Sequence, residues 1–203
     1  MLTEGQYDQQ LNISTLDQEL SVIASYHYHR YEPTPYQALD ELFKQYELSA
    51  DDHIVDYGCG KGRLNFYSHH YFQNAATGIE MNKQFYHQAL KNKETYKNRS
   101  RASAEKIQFE CILAEEYKIK ASQNRFYFFN PFTVQIFIKV INNILMSAEE
   151  YWRDIELIFY YIDNDYVDFL EKNPCFELKK EIDLSSMYKK NQYERFLIYK
   201  LVY

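Results

Sequence analysis

Short apolar runs at strand spacing alternate along the chain with longer stretches at helical spacing. The runs occupy residues 54–57, 75–81, 107–113, 125–129 and 155–162. After the first, Leu64, Phe66, Tyr67 and Tyr71 continue as a helix, and a long polar helix over 82–104 follows the second. Behind the fourth run, Thr133 caps a helix whose broad apolar face carries Val134, Phe137, Ile138, Ile141, Ile144 and Leu145. The fifth leads into a short helix over 166–170. Residues 125–129, Arg-Phe-Tyr-Phe-Phe, are almost continuously apolar, as expected of a central parallel strand buried on both faces. Two last strands, 176–182 and 194–202, are joined by a polar loop, and Phe196, Ile198 and Val202 give the second its alternation.

Ahead of these elements, Leu16, Leu20 and Ile23 predict one short helix in an N-terminal extension over residues 1–30, leaving 31–203 as the main domain. Thr34, Pro35 and Gln37 have the residue types of a helix start with a capping box. Leu39, Leu42, Phe43 and Tyr46 follow on one face of that helix. Strands alternating with helices predict an α/β domain with a doubly wound, mostly parallel sheet. Its seven strands end in a C-terminal antiparallel β-hairpin.

Composition narrows the classes. A chain of 203 residues suits one domain with a sizeable core, and a net charge of -6 carries no general electrostatic footprint for nucleic acid. Lys91, Lys93, Lys97, Arg99 and Arg101 leave room for a local basic surface. Cys59, Cys111 and Cys175 are widely spaced and odd in number, which suggests neither a disulfide framework nor a zinc site, and no metal is expected. No stretch approaches the length and apolarity of a membrane span, so a cytoplasmic protein is expected. The oligomeric state is not encoded in any of these features.

The candidate chemistry centres on Asp56-Tyr57-Gly58-Cys59-Gly60-Lys61-Gly62, a strand end, a glycine turn and a helix start. Glycines at alternate positions let the backbone turn sharply and approach a ligand. The spacing is neither the dinucleotide fingerprint nor the phosphate loop. An acid followed by Gly-x-Gly-x-Gly resembles motif I of the class I S-adenosylmethionine (SAM) methyltransferases, whose loop packs against the methionine part of the cofactor. Glu80 lies 24 positions after Asp56 in the sequence Gly-Ile-Glu-Met, one strand-helix-strand unit away. It resembles the motif II acid that binds both ribose hydroxyls, with Met81 beside the adenine.

Further matches extend the resemblance over roughly residues 30–203. Glu115, in Ala114-Glu115-Glu116, resembles the acid that holds the adenine amino group, although the usual Asp-Ala order is replaced. Asn130-Pro131-Phe132 at the end of the fourth strand resembles motif IV of amino-methyltransferases with one proline where two are usual. There the amide and a backbone carbonyl orient the target nitrogen, and the aromatic ring walls it. The segment Tyr31-Glu32-Pro33-Thr34-Pro35 resembles the leader that borders cofactor and substrate, which would place Arg30, Tyr31 and Tyr36 at the substrate mouth.

The resemblance implies SAM bound by Asp56, Gly58, Cys59, Gly60, Gly62, Glu80, Met81 and Glu115, with Asn130, Pro131 and Phe132 at the reacting end. It implies methyl transfer, expected on nitrogen of a small molecule, a protein side chain or an RNA base. A non-catalytic SAM-binding or protein-interaction module is the alternative.

Overall fold

The computed structural model describes residues 2–16, 32–96, 104–188 and 191–202. Its strands are β1 (His53–Tyr57), β2 (Ala75–Ile79), β3 (Ile107–Glu110), β4 (Arg125–Phe129), β5 (Glu156–Tyr160), β6 (Phe176–Asp183) and β7 (Arg195–Leu201). The helices are α1 (Glu4–Leu11), α2 (Tyr36–Gln45), α3 (Arg63–Phe72), α4 (Lys83–Thr95), α5 (Val134–Glu150) and α6 (Asn164–Glu171), with a 3-10 turn at Ala114–Glu116.

The seven strands form one sheet in the order β3-β2-β1-β4-β5-β7-β6. The first five are parallel, and β7 pairs antiparallel with both β5 and β6. This is the doubly wound sheet with a terminal hairpin that the apolar pattern predicts. Alternate residues of each central strand feed opposite layers. On β4, Phe126 and Phe128 join the core under α5 and α6, whereas Tyr127 joins the core shared by α1, α2 and α3. Burial on both faces is why the run lacks the polar alternation of a one-sided strand.

The chain winds outward from β1 through α3, β2 and α4 to β3, then returns to lay β4 against the other edge of β1. A reversal of this kind opens a crevice beyond the carboxyl ends of the two strands. The glycine loop after β1 and Asn130 after β4 therefore meet at one edge.

Three local expectations change. The N-terminal helix is Glu4–Leu11, closed by a capping box between Thr3 and Gln6, while the predicted pattern at Leu20 and Ile23 lies outside the described residues. Tyr7, Leu11 and Ile13 pack in the same core as α2 and α3. Thr34 does not cap α2. Its Oγ1 shares a 2.7 Å hydrogen bond with Tyr127 Oη, and the Tyr36 N–H donates to Glu4 Oε1 at 2.8 Å. An acceptor delivered by α1 thus does the capping, leaving the threonine to satisfy a buried phenol. Finally, β3 ends at Glu110 and α4 at Thr95, each earlier than the apolar pattern suggests, and Lys97, Arg99 and Arg101 lie outside the described residues.

Several of the described tyrosines have a polar use as well as an apolar one. Tyr36 Oη donates to Asp8 at 2.6 Å, Tyr67 Oη to Asp40 at 2.6 Å and Tyr46 Oη to Glu156 at 2.6 Å. Each ring fills core volume while its hydroxyl donates to a buried or half-buried carboxylate.

Candidate active site

Gly58, Gly60 and Gly62 all have positive φ, at 77°, 53° and 84°. That conformation is costly for any residue with a side chain. Space restricts two of them further. A Cβ on Gly58 would stand 2.8 Å from the Pro131 Cβ, and one on Gly62 would stand 2.6 Å from the Phe109 ring. The loop is fastened to the end of β2, where the Gly58 and Cys59 N–H groups donate to the Ile79 carbonyl at 2.9 and 3.1 Å.

Glu80 follows directly. One carboxylate oxygen accepts the Gly60 N–H at 2.9 Å and the other the Asn82 N–H at 2.7 Å, so the acid is locked to the glycine loop. Asp56, at the end of β1, is buried beside it. Burial pushes the Asp56 carboxyl up to about 8, and the Glu80 charge adds to the effect. Burial raises Glu80 as well, against the pull of the N–H groups it accepts. The Cys59 thiol is driven well up by burial and then by the same two acids, which makes it a poor nucleophile. Its Sγ stands 2.5 Å from where a Cβ on Gly78 would lie, so the thiol and that glycine fit by close packing.

Across the crevice, Asn130 has φ 38°, a left-handed conformation that turns the chain out of β4. Pro131 packs on Gly58. Phe132 is only 1% exposed, edge-on to Tyr57 and Phe128, and its carbonyl accepts from the Tyr166 hydroxyl. Its ring is therefore core rather than an open wall.

Other sequence candidates are more dispersed. The Glu115 carboxylate lies 4.0 Å from Lys139 Nζ, and its carbonyl accepts from Asn143 Nδ2 at 2.9 Å, facing α5. Met81 is half-buried next to Glu80. Tyr36 is fully enclosed, stacked on Tyr7 at 4.6 Å and covered by the Arg63 guanidinium at 4.3 Å. It is a packing hub and does not border a substrate mouth. Arg30 and Tyr31 lie outside the described residues.

A cleft of about 300 Å³ opens beside Asn130, lined by Tyr161, Ile162, Asp163, Asn164 and Tyr193. None of these five was singled out from the sequence. The available signal was position, since residues 161–164 follow the fifth strand at the same sheet edge as Asn130.

Among the described residues, no group of His, Cys, Asp and Glu is placed to hold a metal ion, and no helix is long and apolar enough to cross a membrane.

Comparison with solved structures agrees with this architecture. An RNA methyltransferase from Salinibacter ruber in complex with S-adenosyl-L-homocysteine is similar over 84% of this chain and 94% of its own, with a TM-score of 0.58 and 16% identity. Human methyltransferase 10 domain containing protein matches over 98% of this chain and 93% of its own, with a TM-score of 0.61 and 12% identity. The mitomycin 7-O-methyltransferase matches 82% of this chain but 53% of its own length, with a TM-score of 0.60 and 12% identity. No family model matches the chain, and no curated protein matches it by sequence. The chain has the class I SAM-dependent methyltransferase fold. RNA and O-methyltransferases both appear among the similar structures, so the fold leaves the acceptor atom undetermined.

Proposed function

We propose that this chain is a SAM-dependent methyltransferase acting on a nitrogen acceptor. The observation that carries the reading is the pair of buried carboxylates, Asp56 and Glu80, the second of them bound to a positive-φ glycine loop that touches the Asn130-Pro131 turn. Two acids pushed toward their neutral forms by burial make a site that gains from a cationic, hydroxyl-bearing ligand. The methionine ammonium and the ribose of SAM have those features. The glycine backbone, where a side chain would collide with Pro131, supports the same fit.

In this reading Asp56 faces the ammonium, Glu80 the ribose hydroxyls, and Gly58, Cys59, Gly60 and Gly62 line the backbone cradle beside Met81. Glu115 serves the adenine amino group through a swing away from Lys139. When bound, the cofactor supplies an activated methyl group. The protein's part is to align the acceptor at a near-attack distance of about 3–3.5 Å and to exclude water. The Asn130 amide oxygen and the Pro131 carbonyl accept hydrogen bonds from the acceptor nitrogen and aim its lone pair. Only the neutral amine carries that lone pair, so an acceptor that arrives as an ammonium gives up its proton to water before attack, and the neutral form then needs no strong base. Phe132 contributes from behind, its buried ring and its bond to Tyr166 fixing the turn.

Calorimetric titration with SAM and with S-adenosylhomocysteine tests the reading. Micromolar binding that Glu80→Ala abolishes is the expected result. Absence of binding by a folded, cofactor-free sample would overturn it.

A further inference from the structure

Asn130 and Tyr161 occupy matching places on neighbouring strands. Phe129 pairs with Tyr160 in the β4-β5 ladder, and each chain then leaves the sheet through a left-handed residue, Asn130 at φ 38° and Tyr161 at φ 51°. Such a conformation is uncommon for a tyrosine and persists where surrounding contacts over-determine it. Those contacts are present. The Tyr161 N–H donates to the Arg195 carbonyl at 3.3 Å, and Asn191 Nδ2 donates to its hydroxyl at 3.3 Å. Its ring lies 5.7 Å from Tyr193 at a 39° tilt and 6.3 Å from Phe129. Asn191 also accepts the Tyr193 N–H at 3.1 Å, so one side chain holds the Tyr161 hydroxyl and the Tyr193 backbone together.

Both rings line the same cleft as Asn130. Since the Phe132 ring is buried, the aromatic surface nearest the Asn130 turn in that cleft belongs to these tyrosines. We propose that Tyr161 and Tyr193 are the specificity-determining wall of the acceptor site, which takes a small, flat, ring-bearing amine. The inference rests on the methyltransferase reading and adds its substrate class.

Size and charge support that class. A cavity of about 300 Å³ is at the small end for ligand sites and suits one or two rings. Asp163 is the charged side chain among the described lining residues. One of its oxygens accepts the Asp165 N–H at 3.0 Å, and the exposed carboxylate favours an ammonium over a phosphate. Tilted electron-rich rings favour the same cationic, flat partner. Lys189 and Lys190 lie outside the described residues, and the test therefore includes an RNA arm.

Tryptamine and indoleacetate, which share a ring and differ in charge, are titrated by ligand-observed NMR into the full chain saturated with S-adenosylhomocysteine. Tryptamine should bind more tightly than indoleacetate. Tyr161→Ala should weaken tryptamine by about tenfold, as loss of a stacking wall does, while Tyr161→Phe stays within about threefold of the parent. Tyr193→Ala provides the same reading if Tyr161→Ala fails to fold. Failure of tryptamine to bind the S-adenosylhomocysteine-loaded protein overturns the proposal, as does binding that neither alanine variant changes. So does tight, salt-sensitive binding of a short single-stranded RNA that Tyr161→Ala abolishes while tryptamine is ignored. Binding of S-adenosylhomocysteine itself is measured in the same samples, so loss of the methyltransferase reading is recorded separately.

Discussion

Gly58 and Pro131 are in direct contact across the crevice: a single added carbon on the glycine would lie 2.8 Å from the proline Cβ. The contact ties the loop that follows Asp56 at the end of β1 to the turn after β4 that carries Asn130. Any change in the glycine loop is therefore felt at the turn.

Gly58→Ala should accordingly do more than strain one backbone position. The left-handed φ of 77° costs an alanine about 1–2 kcal/mol, and displacing Pro131 adds overpacking of about 1–3 kcal/mol. The expected result is a fall in stability of about 2–5 kcal/mol together with loss of S-adenosylhomocysteine binding. Urea denaturation and calorimetry check the two separately. A variant with parental stability and affinity would mean that the turn yields freely and that the contact is incidental.

Asp56 gives the site a pH signature. Its folded carboxyl keeps its proton to about 8, against 3.8 for an unperturbed one. Between those values the folded state holds more protons than the unfolded state, so stability of the free protein falls as pH rises through the window. The penalty is absent below the unfolded value and complete above about 8. Glu80, also raised, acts in the same direction. A cationic ligand reverses the preference by favouring the ionised carboxyl, so binding below about pH 8 should release a proton and tighten as pH rises. Asp56→Asn should flatten both profiles. Calorimetry in buffers of different ionisation enthalpy reads the proton directly, and zero release near neutrality would remove Asp56 from the cationic end of the site.

Much of this arrangement was legible from residue order alone. Asp56, Glu80 and Asn130 each end an apolar run, and parallel strands bring such ends to one edge whatever the loops do. The run over residues 125–129 coincides with β4 because a strand buried on both faces has no polar alternation to blur its limits. What the order could not reveal comes from contacts distant in sequence. Thr34 looks like a cap until Glu4, from a helix with little apolar character, takes its place. Phe132 has the right type for a substrate wall, but its burial depends on Tyr57, Phe128 and Tyr166 from three other elements. Tyr161 and Tyr193 are 32 positions apart and meet because β7 folds back beside β5.

Asn130 separates alignment from cofactor binding. Its φ of 38° is tolerated by asparagine and suits glycine better than alanine. Asn130→Gly should therefore keep parental stability and S-adenosylhomocysteine affinity while turnover falls on the order of 100-fold, the effect of a lost orienting group. Asn130→Ala should lose the same activity and about 1 kcal/mol of stability besides. Transfer of labelled methyl to an acceptor recovered by screening gives the rate. Equal turnover in the glycine variant would assign orientation of the acceptor to another group.

The N-terminal helix offers a test that is independent of chemistry. Asp8 accepts the Thr15 N–H at 2.6 Å, the Thr15 hydroxyl at 2.8 Å and the Tyr36 hydroxyl at 2.6 Å, all within the core. Thr15 in turn accepts from Arg63 Nε at 2.8 Å, and Arg63 also pairs with Glu4 and donates to the Thr34 carbonyl at 3.0 Å. Arg63 opens the helix that begins at the glycine loop, so this network anchors residues 2–16 to one wall of the site. Asp8→Ala leaves three buried donors without their acceptor, and a buried group so stranded costs more than a neutral bond is worth. The expected destabilisation is about 2–4 kcal/mol, read as a lower urea midpoint at unchanged slope. Affinity for S-adenosylhomocysteine should weaken with it, since the wall loosens. A midpoint within error of the parent would show that residues 2–16 rest on the domain without supporting it.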